Sequence, residues 1–293
     1  MSNHHDGPNS NPAGSHLDQR RNPFYPPRLA GAVGDVDGKI IVVTGATGVV
    51  GRELVPLLIT SGATVVAIGR DLDRLIRLTD GTRRRLSSLT ATHPSFDGRP
   101  TGSASEFGEL YAASRVSDQL HPVVLDLTEQ DATVSAFDEI SQRFGRIDAV
   151  IHLVGGWSNG GVLGFDPDKL QELFVNQLLP VANLTTAVVD HLVSSGGRFI
   201  TVGSNASHAP SADNTLYASI KSAVDAWVSG LAAAFRDTDA SATTLLINAV
   251  LTETFASKHP DRDFTGWTPD HLLARKLVEA LGMQYTNGVH LVI

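Results

Sequence analysis

The chain has 293 residues, 42% of them hydrophobic, a composition that suits a water-soluble α/β protein with one substantial core. A net charge of −8, from 23 basic and 31 acidic residues, gives no general attraction to nucleic acid or to an anionic membrane. With no cysteine, disulfides, thiolate nucleophiles and cysteine metal sites are excluded, and with neither an apolar run of ~18 residues nor an export-type N-terminus, a cytoplasmic protein without membrane contact is expected.

Residues 1–36 are rich in Asn, Gly, Pro, Ser and His and show no hydrophobic period, so they are read as a flexible extension. Within it "NPFYPP" is open between docking patch and filler, and His4 and His5 between weak metal contacts and filler. A single domain is expected over 37–293.

From Lys39 the pattern changes. "KIIVVTG" is short, β-branched and nearly all apolar, as in a strand buried on both faces of a parallel sheet. It runs into "TGATGVVG", Thr44 to Gly51, and then into the helical pattern "GRELVPLLITSG". Glycines 45, 48 and 51 permit a tight turn and close approach of a pyrophosphate, while the next helix offers its N-terminal N–H groups to the anion. Gly45, Thr47, Gly48, Val49 and Gly51 are therefore expected cofactor contacts, in the strand-turn-helix setting that dinucleotide binding needs. A turn that serves packing alone is the other reading, because the spacing is not Gly-x-Gly-x-x-Gly.

The second strand, "ATVVAIG", ends at Gly69 and Arg70. An acidic residue here would hold ribose hydroxyls, whereas an arginine can pair with a 2′-phosphate, so NADP(H) is expected over NAD(H). Asp71 follows one residue too late to take that role, and Arg52 is a candidate second positive charge. More chain than one helix needs separates Asp71 from Pro122. Its Gly/Ser/Pro-rich part, "THPSFDGRPTGSASEFGE", indicates a surface insertion at about 80–118. Arg83 to Arg85 read either as a solvated helix face or as an attractor for an anionic substrate.

Apolar strands recur in "HPVVLDL", "IDAVIHLVGG", "GRFITVGS", "TTLLINAV" and "GVHLVI", with helical patterns between most of them, notably "DKLQELFVNQLLPVANLTTAVVDHLVSS". Seven strands alternating with helices imply an α/β fold with a doubly wound, mostly parallel sheet of the Rossmann type. In "NTLYASIKSAVDAW", Tyr217 and Lys221 lie four apart and share a helix face. An ammonium close to a phenol favours phenolate, so a lowered tyrosine pKa and acid-base chemistry are expected. A surface pair is the alternative.

With glycine turn, strand-end arginine and Tyr-x-x-x-Lys in this order, the chain from about residue 38 onward resembles the short-chain dehydrogenase/reductase family. That family carries a serine ~13 residues before its tyrosine, which Ser204 matches, a third-strand aspartate that Asp126 matches, and a helix-borne asparagine that Asn176 matches. The resemblance implies a catalytic set of Asn176, Ser204, Tyr217 and Lys221. Ser204 would polarise a carbonyl, Tyr217 transfer a proton, Lys221 tune the tyrosine and hold a ribose, and Asn176 hold a water linked to the lysine. Asp126, Leu127, Gly155, Tyr217 and Lys221 join the expected cofactor contacts. The implied activity is NADP(H)-dependent interconversion of a carbonyl and an alcohol on a small molecule, with no resident metal. A homodimer or homotetramer paired through Lys169–Ser194 and Leu216–Phe235 is also implied.

Two departures from the family pattern stand out. His152, Leu153 and Val154 replace the usual Asn-Asn-Ala before Gly155, and Thr252 and Glu253 replace Pro-Gly after the sixth strand. His152 is read as a core substitute rather than as a catalytic or metal-binding group. These changes keep open a dinucleotide-binding regulatory or scaffold protein with little turnover. The turn's Thr-Gly-x-x-Gly-x-x-Gly spacing likewise keeps open an extended-type nucleotide-sugar epimerase. Trp157, Phe255 and Trp267 either wall an apolar substrate pocket or pack in the ordinary way.

Overall fold

A computed structural model describes residues 36–91, 116–283 and 287–293. The expected N-terminal extension, up to residue 35, and residues 92–115 of the expected insertion lie outside the described residues. Val36 is already part of the core, at 2% exposure. The segment 80–91, expected within the insertion, instead continues a helix to Ala91.

Nine strands are described: β1 (Ile40–Thr44), β2 (Thr64–Gly69), β3 (Leu120–Val124), β4 (Ala149–His152), β5 (Arg198–Ser204), β6 (Ser241–Ile247), β7 (Val250–Leu251), β8 (Thr268–Pro269) and β9 (Val289–Val292). Seven of them form one sheet in the order β3-β2-β1-β4-β5-β6-β9, with every neighbouring pair parallel. They coincide with the seven apolar runs in the sequence. The helices are α1 (Val49–Thr60), α2 (Leu72–Ala91), α3 (Val116–Gln119), α4 (Gln130–Phe144), α5 (Pro167–Leu173), α6 (Leu179–Ser195), α7 (Thr215–Ala234), α8 (Glu253–Lys258) and α9 (Asp270–Gly282).

Why the strands are apolar along their whole length is visible in the packing. Successive side chains point to opposite faces of a strand, and here both faces are covered. Ile41, Val43, Ala149 and Ile151 pack with Leu54 and Leu58 of α1 and Leu277 of α9. Val42, Val150 and Phe199 pack on the other side with Phe137 of α4, Leu184 of α6 and Val228 of α7. Each large side chain so buried contributes about 1.5–3 kcal/mol relative to exposure. This is a Rossmann-type three-layer domain. Its strand order reverses between β1 and β4, which opens a crevice at the carboxyl ends of the strands.

One helix departs from the periodic reading. The run expected to be continuous over 168–195 is interrupted between α5 and α6 by a π-helical turn, Phe174–Leu178. The Leu179 N–H donates to the Phe174 carbonyl, five residues back. Pro180 explains it, because it has no N–H to give the Asn176 carbonyl, the bond that a regular α-helix would make there.

Candidate active site

The glycine turn sits at the head of the crevice. Gly45 has φ 70°, and a Cβ there would lie 2.8 Å from the Leu153 carbonyl carbon at the end of β4. A Cβ on Gly51 would run into the Ala46 backbone. Both glycines are thus required by the chain's own backbone, which draws α1 tightly onto the turn. Gly48 is the N-cap of α1 and supplies no side-chain cap, so the first N–H groups of the helix have no capping side chain.

Below the turn lies a cleft of about 400 Å³ lined by Gly45, Thr47, Gly48, Arg70, Asp126, Leu127, Gly155 and Asn176, among others. Eight sequence-expected residues are therefore brought together. Val49 and Gly51 are not among its lining residues: Val49 is exposed on the first turn of α1, and Gly51 is packed against Ala46. Arg52 does not line it either, while Arg74 does. Asp71 also lines it, where its carboxylate accepts from the Arg74 N–H at 3.0 Å and lies 3.5 Å from Arg74 Nε. Arg74, four residues past Arg70 and one turn into α2, is the positive charge that the sequence reading missed.

Asp126 is held in a defined turn. Its Oδ1 accepts from the Thr128 N–H at 3.0 Å and from the Thr128 hydroxyl at 2.9 Å. Partial burial pushes its carboxyl up, but these two bonds and the Arg70 charge together bring it below the usual range. Asn183 on α6 donates to the carbonyls of Leu127 and Thr128, at 2.9 and 3.1 Å, and fixes the turn from behind.

Next to Gly155 stands Lys221 of α7, with Tyr217 of the same helix and Ser204, which closes β5, beside it. Ser204 is buried, and its Oγ accepts from the Ala206 N–H at 3.2 Å. Lys221 Nζ lies 5.9 Å from the centre of the Tyr217 ring and donates to the Val202 carbonyl at 3.5 Å. The electrostatics differ from the expected pattern. Burial raises the Tyr217 phenol above its ordinary pKa, opposed only by a hydrogen bond with Ser204. Desolvation also pushes the Lys221 ammonium down to about 8. Burial outweighs the pairing that sequence spacing suggested, and the phenol is held protonated.

Gln177 was not singled out from the sequence. It is buried beside Asn176 in the π turn, and its Nε2 donates to the Gly156 carbonyl at 2.9 Å. Its Oε1 is buried with no hydrogen-bond partner among the described residues. A Cβ on Gly155 would lie 3.4 Å from Lys221 Nζ and 3.6 Å from that oxygen. An O–H or N–H donor bound beside Gly155 would satisfy it. The π turn itself was legible only through Pro180.

Both departures have structural accounts. His152 is buried, with Nδ1 2.8 Å from Thr44 Oγ1, and its carbonyl accepts from the Thr201 hydroxyl at 3.1 Å. It therefore braces β1, β4 and β5 from the sheet centre. Burial, aided by the Lys221 charge, pushes its pKa down to about 3, so the ring is neutral. Thr252 caps α8, its hydroxyl accepting from the Phe255 N–H at 3.1 Å. In the loop closed by β7 and β8, Phe255 and Trp267 stack on each other with centroids 5.6 Å apart, and Arg262 lies over both rings. Trp157 is 71% exposed. Arg83 and Arg85 lie on α2, exposed, near Asp80 and Glu53 respectively.

Comparison with known proteins agrees with this fold. Residues 101–263 match the family model of the short chain dehydrogenases. A short chain dehydrogenase of Pseudocercospora fijiensis is 27% identical over 210 residues, which cover 70% of this chain and 57% of that protein's length. The chain thus spans little more than half of that relative. A NAD+-bound xylitol dehydrogenase superposes with TM-score 0.68 at 15% identity, covering 88% of this chain and 98% of the other. ElxO with NADP bound superposes with TM-score 0.69 at 15% identity, covering 87% of this chain and 97% of the other.

Proposed function

The chain belongs to the short-chain dehydrogenase family of oxidoreductases, and from that premise we propose that it is an NADP(H)-dependent enzyme interconverting a carbonyl and an alcohol on a small molecule. The observation that carries the reading is a cleft lined by Arg70, Arg74, Asp126, Asn176 and Gly155, with Lys221 Nζ 3.4 Å from where a Gly155 Cβ would stand and Tyr217, hydrogen-bonded with Ser204, beside that lysine. The uncapped first turn of α1 suits a pyrophosphate. Arg70 and Arg74 suit a 2′-phosphate, and the free oxygen of Asp126 suits an adenine amine.

When bound, the dinucleotide supplies or accepts the hydride. The chain's own groups handle the rest. Ser204 donates a hydrogen bond to the substrate oxygen, and Tyr217, kept as a neutral phenol, gives that oxygen its proton during reduction. Lys221 and Asn176 orient a ribose and a water, and the Gln177 oxygen accepts from a donor beside Gly155. We take the stacked Phe255 and Trp267, in the loop that follows β6, to favour an apolar substrate.

The groove between α6 and α7, lined by Leu178, Val189, Ala223, Ala226 and the 45%-exposed Trp227, suits pairing with a second copy. No described helix is long and apolar enough to cross a membrane. Turnover of NADPH against a panel of aldehydes and ketones tests the reading. Saturable NADPH binding without turnover across a broad panel would instead favour a regulatory, cofactor-sensing protein.

A further inference from the structure

On the sheet edge away from the glycine turn, three side chains from separate elements converge. His208 follows the short turn after β5, Asp225 lies on α7, and His290 lies on β9. Their ligating atoms all fall within 4.8 Å of one another. His290 Nε2 is 2.6 Å from Asp225 Oδ1, His208 Nε2 is 3.9 Å from Asp225 Oδ2, and the two imidazole rings meet edge-on at 5.7 Å. We propose that His208, Asp225 and His290 form a binding site for a divalent transition-metal cation, of which Zn2+ is the type.

The geometry suits such an ion. Two ligands each 2.0–2.1 Å from a tetrahedral zinc are themselves about 3.3 Å apart, a value that the separations here bracket. To reach it, the His290–Asp225 pair has to open from 2.6 Å and the His208–Asp225 pair to close from 3.9 Å. Two imidazoles and one carboxylate are donors that zinc and its neighbours favour over magnesium or calcium. Both histidines are exposed while Asp225 is half-buried, so water can complete the coordination.

The scaffold is already ordered. The Ser222 hydroxyl on α7 donates to the Ser207 carbonyl at 2.9 Å, the His208 N–H donates to Asn205 at 3.1 Å, and His290 is in register with Thr244 of β6. Binding would therefore cost little ordering entropy. It would clamp the edge strand β9 to α7 and to the turn that follows Ser204.

Zn2+ binding to the full chain, measured by competition with a chromogenic chelator, tests the site. The unaltered protein is expected to take up one Zn2+ per chain. At a hundredfold excess over Kd the ion should raise Tm by roughly 5 °C, reversed by a chelator. His208→Gln, His290→Gln and Asp225→Asn should each weaken binding at least tenfold. The pair His4→Ala and His5→Ala should leave it unchanged, which separates this cluster from the N-terminal histidines. His208 is exposed, so its variant is expected to fold even if Asp225→Asn does not. Absence of saturable Zn2+ binding, or binding that survives His208→Gln combined with His290→Gln, overturns the proposal.

Discussion

Among single residues, His152 ties the fold to pH most directly. Its folded pKa is about 3 against 6.5 for the ordinary group, so between these values the unfolded chain binds the extra proton. Stability contributed by the neutral ring is complete above pH 6.5 and is lost as pH falls toward 3, at up to about 1.4 kcal/mol per pH unit. Urea unfolding between pH 7 and 5 should show this slope, and His152→Asn should flatten it. An equal slope in both proteins would mean that another group carries the acid sensitivity. In the proposed function, cofactor choice falls to the strand-end arginine. A charge-assisted hydrogen bond to a 2′-phosphate is worth about ten- to a hundredfold in affinity, so Arg70→Ala should weaken NADPH binding far more than NADH binding. Gly69→Asp should go further by repelling the phosphate; a Cβ at Gly69 makes only ordinary contacts, the nearest with Thr47 Cγ2 at 3.4 Å. Equal weakening of both cofactors in Arg70→Ala would reduce Arg70 to a surface charge. Its strand-end position pointed to Arg70, and the family resemblance to Asp126 and Asn176, all of which line the cleft, but neither could supply the raised phenol of Tyr217, because desolvation depends on what tertiary packing brings around the ring.

The elements were legible to the extent that their hydrophobic pattern was local. The β-branched runs at Ile40–Thr44 and Thr64–Gly69 mark strands buried on both faces, and no other local structure fits them. The π turn at Phe174–Leu178 hid within an unbroken apolar period, and only Pro180 signalled it. α2 extended to Ala91 because Leu75, Leu78 and Leu86 keep a helical stripe facing the core beneath the arginines. His208, Asp225 and His290 are invisible as a set, since 65 residues separate the last two. The α1 contact gives a test at this scale. Gly51→Ala places a methyl against the Ala46 backbone, and overpacking of this kind costs about 1–3 kcal/mol. Denaturant unfolding should show that loss together with weaker dinucleotide binding. A fully stable Gly51→Ala with normal binding would mean that α1 can shift away from the turn at no cost.

For the molecule as a whole, the sheet carries the cofactor crevice at one end of its strands and leaves an apolar groove on α6 and α7. Trp227, whose Nε1 donates to the Thr185 hydroxyl at 2.8 Å, ties the two helices together beside that groove. Light scattering at micromolar concentration should give at least twice the 31.1 kDa of one chain, falling to the single-chain mass in Trp227→Arg. A single-chain mass for the unaltered protein would leave the groove to some other occupant. The account as a whole rests on Tyr217, beside Lys221, as the proton donor. The most direct measurement is therefore the rate of NADPH oxidation with an accepted carbonyl substrate, in the unaltered protein and in Tyr217→Phe. Phenylalanine keeps the ring and removes the hydroxyl, so turnover should fall by roughly 10²-fold or more while fold and NADPH binding persist. Undiminished turnover in Tyr217→Phe would contradict the account.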